Sequence, residues 1–93
     1  EILQVEDQFK LYPNYPNPFN PSTQISFSLA EQGATTLRIY DLLGREVATL
    51  VNGQLAPGNH TVNFIESGLS SGIYFVRLVQ GSNTQTHTIT LVK

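Results

Sequence analysis

Apolar and polar residues alternate with a period of two along most of the chain. Ile25, Phe27 and Leu29 fall on one side of a run whose other side is Gln24, Ser26 and Ser28. Successive side chains of a strand point to opposite faces, so residues 24–30 predict a strand with one buried face. Residues 35–41 repeat the pattern, with Leu37 and Ile39 inward and Thr36, Arg38 and Tyr40 outward. Val47 to Val51 resumes as a strand, and His60, Val62 and Phe64 alternate with Thr61 and Asn63. Ile73 to Val79 has Tyr74, Val76 and Leu78 on one face and Ile73, Phe75 and Val79 on the other. Apolar residues on both faces predict a central strand. Thr84 to Lys93 is a Thr-rich last strand ending in Ile89, Leu91 and Val92, and Phe9 and Leu11 around Lys10 add a short first one.

Turn chemistry separates these runs. Asp41-Leu42-Leu43-Gly44 reads as a tight turn with Gly44 free to take a positive φ. Asn52-Gly53 and Pro57-Gly58 mark a longer loop, Ser67-Gly68 and Ser70-Ser71-Gly72 break the chain again, and Gly81-Ser82-Asn83 makes a hairpin turn. Residues 42–51 admit one turn of helix, but Val47, Thr49 and Val51 are β-branched and favour strand. Short strands at roughly 8–12-residue spacing predict an all-β, immunoglobulin-like β-sandwich of about seven antiparallel strands. A small open barrel is the second arrangement they allow.

Tyr12 to Pro21 holds four of the five prolines. Each proline fixes its own φ and drives the preceding residue toward an extended conformation. The segment is therefore expected to form a rigid, extended or kinked lead-in. Phe19 and, after it, Tyr15 are the residues expected to pack onto the sandwich. A stiff interdomain spacer is the competing reading.

Composition narrows the function. Ninety-three residues make one domain, and a net charge of −2 with five Lys and Arg residues cannot build the cationic face that nucleic acid requires. The longest aliphatic or aromatic run, Ile73 to Val76, is far short of the roughly 18 residues that span a bilayer. No cationic start followed by an apolar stretch opens the piece, so it is expected to be cytosolic or to follow an upstream segment that carries the export signal. There is no cysteine, hence no disulfide or thiolate site, and the fold must rest on packing.

Catalytic candidates are thin. His60 and His87 lie on predicted strands without an acid at a useful spacing, and both read as structural histidines. Ser70-Ser71-Gly72 is turn chemistry, the carboxylates are scattered singly, and the glycines punctuate turns rather than cradle phosphate. The expectation is a non-enzyme without cofactor or metal. Asn59-His60-Thr61 matches a glycosylation sequon that arises often by chance. Tyr12, Tyr15 and Tyr40 are the residues from which an aromatic sugar platform would be built, and packing of the proline segment competes for them.

Several blocks, in order, carry a resemblance. Asn14-Tyr15-Pro16-Asn17-Pro18-Phe19-Asn20-Pro21-Ser22-Thr23 with Ile25 to Leu29, then Leu37 to Val47 around Tyr40-Asp41-Leu42-Leu43-Gly44-Arg45, then Pro57 to Val62, then Leu69 to Leu78 around Gly72-Ile73-Tyr74, and the strand ending in Lys93 together resemble the type IX secretion system C-terminal sorting domain, type A, of the Por secretion family. The likeness spans about residues 9 to 93. It implies a seven-stranded immunoglobulin-like sandwich behind a larger cargo of the Bacteroidetes and related phyla, with residues 1–8 as linker and 9–93 as the sorting domain. It further implies transit through the periplasm, recognition by the outer-membrane type IX translocon, and release by a sortase-like peptidase near or before residues 1–10. The cargo ends at the cell surface or in the medium, and the domain is expected to be monomeric.

By the resemblance, Gly72, Tyr74, Leu91, Val92 and Lys93 carry translocon recognition. Tyr15, Pro16, Asn17, Pro18, Phe19, Asn20, Pro21, Asp41 and Gly44 form the structural motif. One departure stands out: the last strand is Thr-rich, and Lys93 is the only Lys or Arg after Arg77. The related immunoglobulin-like domain of the flagellar hook-capping protein shares the Pro-Asn-Pro-Phe-Asn-Pro opening and the Tyr-Asp turn, and would make the chain an assembly module. An accessory carbohydrate-binding sandwich is the other alternative. Within the sorting reading, residues 84–93 are expected to present an open edge for β-augmentation, and loss of Leu91 to Lys93 is expected to leave the sandwich folded.

Overall fold

The structure, a computed structural model, describes residues 8–93. The expected linker over residues 1–8 and the expected cleavage region lie largely outside the described residues. Seven strands form: β1 (Lys10–Leu11), β2 (Ser22–Leu29), β3 (Gly33–Tyr40), β4 (Glu46–Leu55), β5 (Gly58–Ile65), β6 (Gly72–Gln80) and β7 (Asn83–Leu91). They build a three-stranded sheet, β1-β2-β5, and a four-stranded sheet, β4-β3-β6-β7, with every strand pair antiparallel. This is the expected immunoglobulin-like sandwich.

The inward positions of both sheets make the core. Ile25, Phe27 and Leu29 of β2 and Leu37 and Ile39 of β3 are completely buried, as their alternation predicts. Val76 and Leu78 of β6 and Ile89 and Leu91 of β7 join them. Each such side chain contributes about 1.5–3 kcal/mol through removal from water. β6 is central, between β3 and β7. Its second face is only partly covered, with Ile73 exposed and Phe75 and Val79 half-buried, because the outer face of a sandwich has no second layer.

Two expectations about strand limits are corrected. β4 does not stop at Val51. It runs through Asn52-Gly53, paired with Thr36 and Thr35, and the connection to β5 is only Ala56-Pro57. The register slips between Leu37 and Arg38 and again between Ile39 and Tyr40. Each slip adds an unpaired residue to β4, so both Val47 and Ala48, and both Leu50 and Val51, are half-buried. Two apolar pairs three residues apart imitate helical spacing, which is why residues 42–51 read ambiguously. The last strand stops at Leu91, leaving Val92 and Lys93 beyond it.

The register fixes the two poles. At one pole lie the start of β2, where Ser22 pairs with Ile65, the β3–β4 turn, and the start of β6, where Gly72 pairs with Leu91. At the other lie the β2–β3, β4–β5 and β6–β7 turns. β1 enters beside this second pole, with Lys10 opposite Ser28.

Candidate functional site

The recognition candidates are brought together. Gly72 pairs with Leu91 and Tyr74 with Ile89 across neighbouring strands, and Lys93 follows at the same pole. Gly72 has a φ of 152°, with open space where a Cβ would stand, so its need is conformational. Tyr74 and Leu91 are buried, and belong to the core rather than to a displayed surface. The Tyr74 hydroxyl donates to the Ser70 carbonyl at 2.6 Å, tying the loop before β6 to the strand, as the tyrosine corner does in related sandwiches. Val92 is about half exposed, at 49%.

Lys93 is held on this loop. Its ammonium donates to the Leu69 carbonyl at 2.8 Å and lies 3.4 Å from the Glu66 carboxylate, while its main-chain N–H donates to Ser71 Oγ at 2.9 Å. Glu66 also accepts from Leu69 N–H at 3.0 Å, and its own N–H donates to the Pro21 carbonyl. The last residue thus closes a loop of fixed shape.

Beside it stands the β3–β4 turn. Asp41 Oδ1 accepts from the N–H groups of Leu43 and Arg45, both at 2.9 Å, and Oδ2 accepts from Arg45 Nε at 2.8 Å. The Arg45 N–H, with its guanidinium and the Leu43 N–H, holds the Asp41 carboxyl below its ordinary value against slight burial. Gly44 completes the turn with φ 85°, as expected. Pinned in this way, Leu42 and Leu43 face solvent at 63% and 78% exposure. A shallow groove of about 230 Å³ runs from this turn to Ser71, Gly72, Ile73 and Tyr74. Leu42, Leu43 and Ile73 were not among the expected site residues; apolar residues inside a turn and on the outer face of a strand are the signal that could have marked them.

The proline segment separates into two roles. Phe19 is buried and packs against Phe64, ring centroids 5.9 Å apart. Asn14 Nδ2 donates to Thr23 Oγ1 at 3.0 Å, and Thr23 Oγ1 donates to the Pro16 carbonyl at 2.8 Å, a buried knot that folds the segment onto β2. The peptide bonds before Pro16, Pro18 and Pro21 are cis. Tyr15 does not pack. It is 79% exposed, because its backbone pairs with Gln24 in a bridge that turns the ring outward. Nor do the three tyrosines gather: Tyr12 lies under Lys10, and Tyr40 lies under Arg77 on the other sheet.

The expected open edge of β7 is corrected as well. Its C-terminal part is occupied: Phe19 N–H donates to Thr90 O, Val92 N–H to Phe19 O, and Thr90 N–H to Asn17 Oδ1. Further along, Gln85 and His87 reach across the seam to the backbone of Phe9 and Leu11. His60 stacks on Phe27 and bonds the Ala56 carbonyl. Both histidines therefore have structural partners. At the far side of each sheet, β4 and β5 are edge strands with no further strand among the described residues.

Comparison with protein families matches residues 10–92 to the secretion system C-terminal sorting domain. Comparisons with curated proteins and with solved structures give no match. This family is not one of enzymes, and its domain implies a cargo exported by type IX secretion to the cell surface or the medium. With its seven-stranded sandwich and a match over nearly its whole length, the chain belongs to the family of type IX secretion system C-terminal sorting domains.

Proposed function

We propose that this sandwich is read by the outer-membrane type IX translocon at the pole formed by the β3–β4 turn, the start of β6 and residues 92–93. The observation that carries the reading is the set of exposed apolar side chains at this pole: Leu42, Leu43 and Ile73 line one groove with Ser71, Val92 follows β7, and Lys93 bonds the loop before β6. The local charges are already paired, Asp41 with Arg45 and Lys93 with Glu66. At Asp41 and Lys93 an apolar receptor surface therefore meets paired rather than lone charges. The pole lies at the end of the sandwich away from Lys10, where β1 begins. Gly72 and the buried Tyr74 and Leu91 act by shaping this surface. The domain travels through the periplasm as a folded monomer, and a sortase-like peptidase cuts in or before the linker once the cargo has crossed.

The test fuses residues 8–93 behind a signal-directed periplasmic reporter in a type IX-competent host. The wild-type fusion is expected outside the cell. Leu43→Glu and removal of Val92 and Lys93 are expected to leave a folded, protease-resistant fusion in the periplasm. Normal export of both variants would overturn recognition at this pole.

A further inference from the structure

A second surface feature lies on the outer face of the three-stranded sheet. Tyr15 pairs with Gln24, and Gln24 pairs with Asn63. Residues directly opposite in antiparallel strands share a face, so the ring and the two amides stand in one row across the sheet. With neighbouring strands about 4.8 Å apart, the row is about 10 Å long. Ser22 and Ile65, themselves a cross-strand pair, lie one step along the same face. Tyr15, Pro16, Ser22, Gln24, Asn63 and Ile65 line a groove of about 450 Å³.

The chemistry of this row is specific. Tyr15 is held by two backbone hydrogen bonds to Gln24, at 3.0 and 2.8 Å, so the point from which its exposed ring projects is fixed. Gln24 and Asn63 are exposed, and each amide offers a donor and an acceptor at once. Among the described residues, no charged side chain lines the groove. An ionic ligand finds no counter-charge here, and a purely apolar one leaves the amides without partners. A neutral polyol satisfies both: vicinal hydroxyls bond the amides, and the C–H face of a sugar ring lies on the aromatic ring. Ile65, 66% exposed, extends the apolar floor.

From this we infer that the Tyr15–Gln24–Asn63 row is a binding site for a neutral glycan. The row shares no residue with Leu42, Leu43, Ile73, Val92 and Lys93, on which the proposed translocon reading rests, although Ser22 and Ile65 lie at the same pole. One surface chemistry serves two sources, an exported cargo's polysaccharide substrate or a neutral polysaccharide of the cell surface.

The experiment is nuclear magnetic resonance titration of residues 1–93 with cellohexaose, xylohexaose and mannohexaose in one arm and delipidated neutral O-polysaccharide in the other. Binding is expected in the millimolar to micromolar range, with shifts confined to Tyr15, Gln24, Asn63 and their neighbours. The arm that binds identifies the source. Tyr15→Ala and Asn63→Ala are each expected to weaken binding about tenfold or more, the equivalent of about 1.4 kcal/mol. Tyr12→Ala leaves it unchanged. Tyr15→Ala keeps the melting temperature and the export of the reporter fusion, which separates this site from the sorting pole. Absence of shifts at the row with every probe, or shifts that persist in Tyr15→Ala, would overturn the assignment.

Discussion

Phe19 and Leu91 lie side by side in a parallel bridge, with Phe19 N–H on the Thr90 carbonyl at 2.9 Å and Val92 N–H on the Phe19 carbonyl at 3.0 Å. The proline-rich opening and the closing strand are thereby one structural unit. Below the bridge the Phe19 ring fills the core against Phe64. Phe19→Ala removes a buried ring and leaves a cavity, at a cost of about 3–5 kcal/mol. Against a total of about 5–15 kcal/mol for a small domain, that leaves a marginal fold. Urea denaturation of the isolated domain measures it, and a loss below about 1 kcal/mol would contradict this packing.

Gln85 has a comparable sealing role at the other end of the seam. Its Oε1 accepts from Leu11 N–H at 2.7 Å and its Nε2 donates to the Phe9 carbonyl at 3.1 Å. Gln85→Ala leaves both backbone groups without partners, for a loss of about 1–3 kcal/mol. Amide hydrogen exchange at Leu11 is expected to quicken more than exchange in the centre of β6. Equal change at both positions would mean that the seam does not open locally.

The last three residues are not equivalent. Leu91 is 1% exposed, whereas Val92 and Lys93 lie outside β7. Leu91→Ala is expected to cost about 2–5 kcal/mol. Removal of Val92 and Lys93 loses the bond of Val92 N–H to Phe19, the bonds of Lys93 to Ser71 and Leu69, and its ion pair with Glu66, whose carboxylate keeps the Leu69 N–H. It is expected to cost less than Leu91→Ala because no core side chain is removed. Loss of Leu91 to Lys93 together therefore removes a core side chain that loss of Val92 and Lys93 spares. Thermal melting of the two variants separates the signal from the fold, and equal melting points would refute the distinction.

Asp41 makes part of the stability depend on acid pH. Its carboxyl titrates lower in the fold than in the unfolded chain, whose value is near 3.8, mainly because Arg45 N–H bonds the charged form. The stabilisation is fully present above that unfolded value and disappears as pH falls through the lower folded one. Wild type is expected to melt above Asp41→Asn at pH 6, with the gap shrinking as pH falls below about 4. A gap that stays constant down to pH 2 would refute the role.

Local chemistry made much of this fold legible. The alternation of Ile25, Phe27 and Leu29 and the Asp41–Gly44 turn depend on neighbours in sequence, and both form as read. The proline motif shows where that legibility ends. Tyr15 and Phe19 are aromatic, close in sequence and flanked alike, yet one is exposed and the other buried. Tyr15 bridges to β2 and Phe19 to β7, and no local pattern encodes which strand each will meet. The same holds for Gln85 and Leu11, whose bond spans 74 positions. Likewise, bulges against β3 carry β4 past the Asn52-Gly53 signal, because the backbone of Thr35 and Thr36 still offers partners there. Strands, turns and inward faces follow from a period of two and from backbone preferences, so they could be read along the chain. Which edge is sealed, which aromatic is displayed and which terminal residues belong to the core depend on contacts between segments far apart in the chain, so they emerge only in the folded molecule.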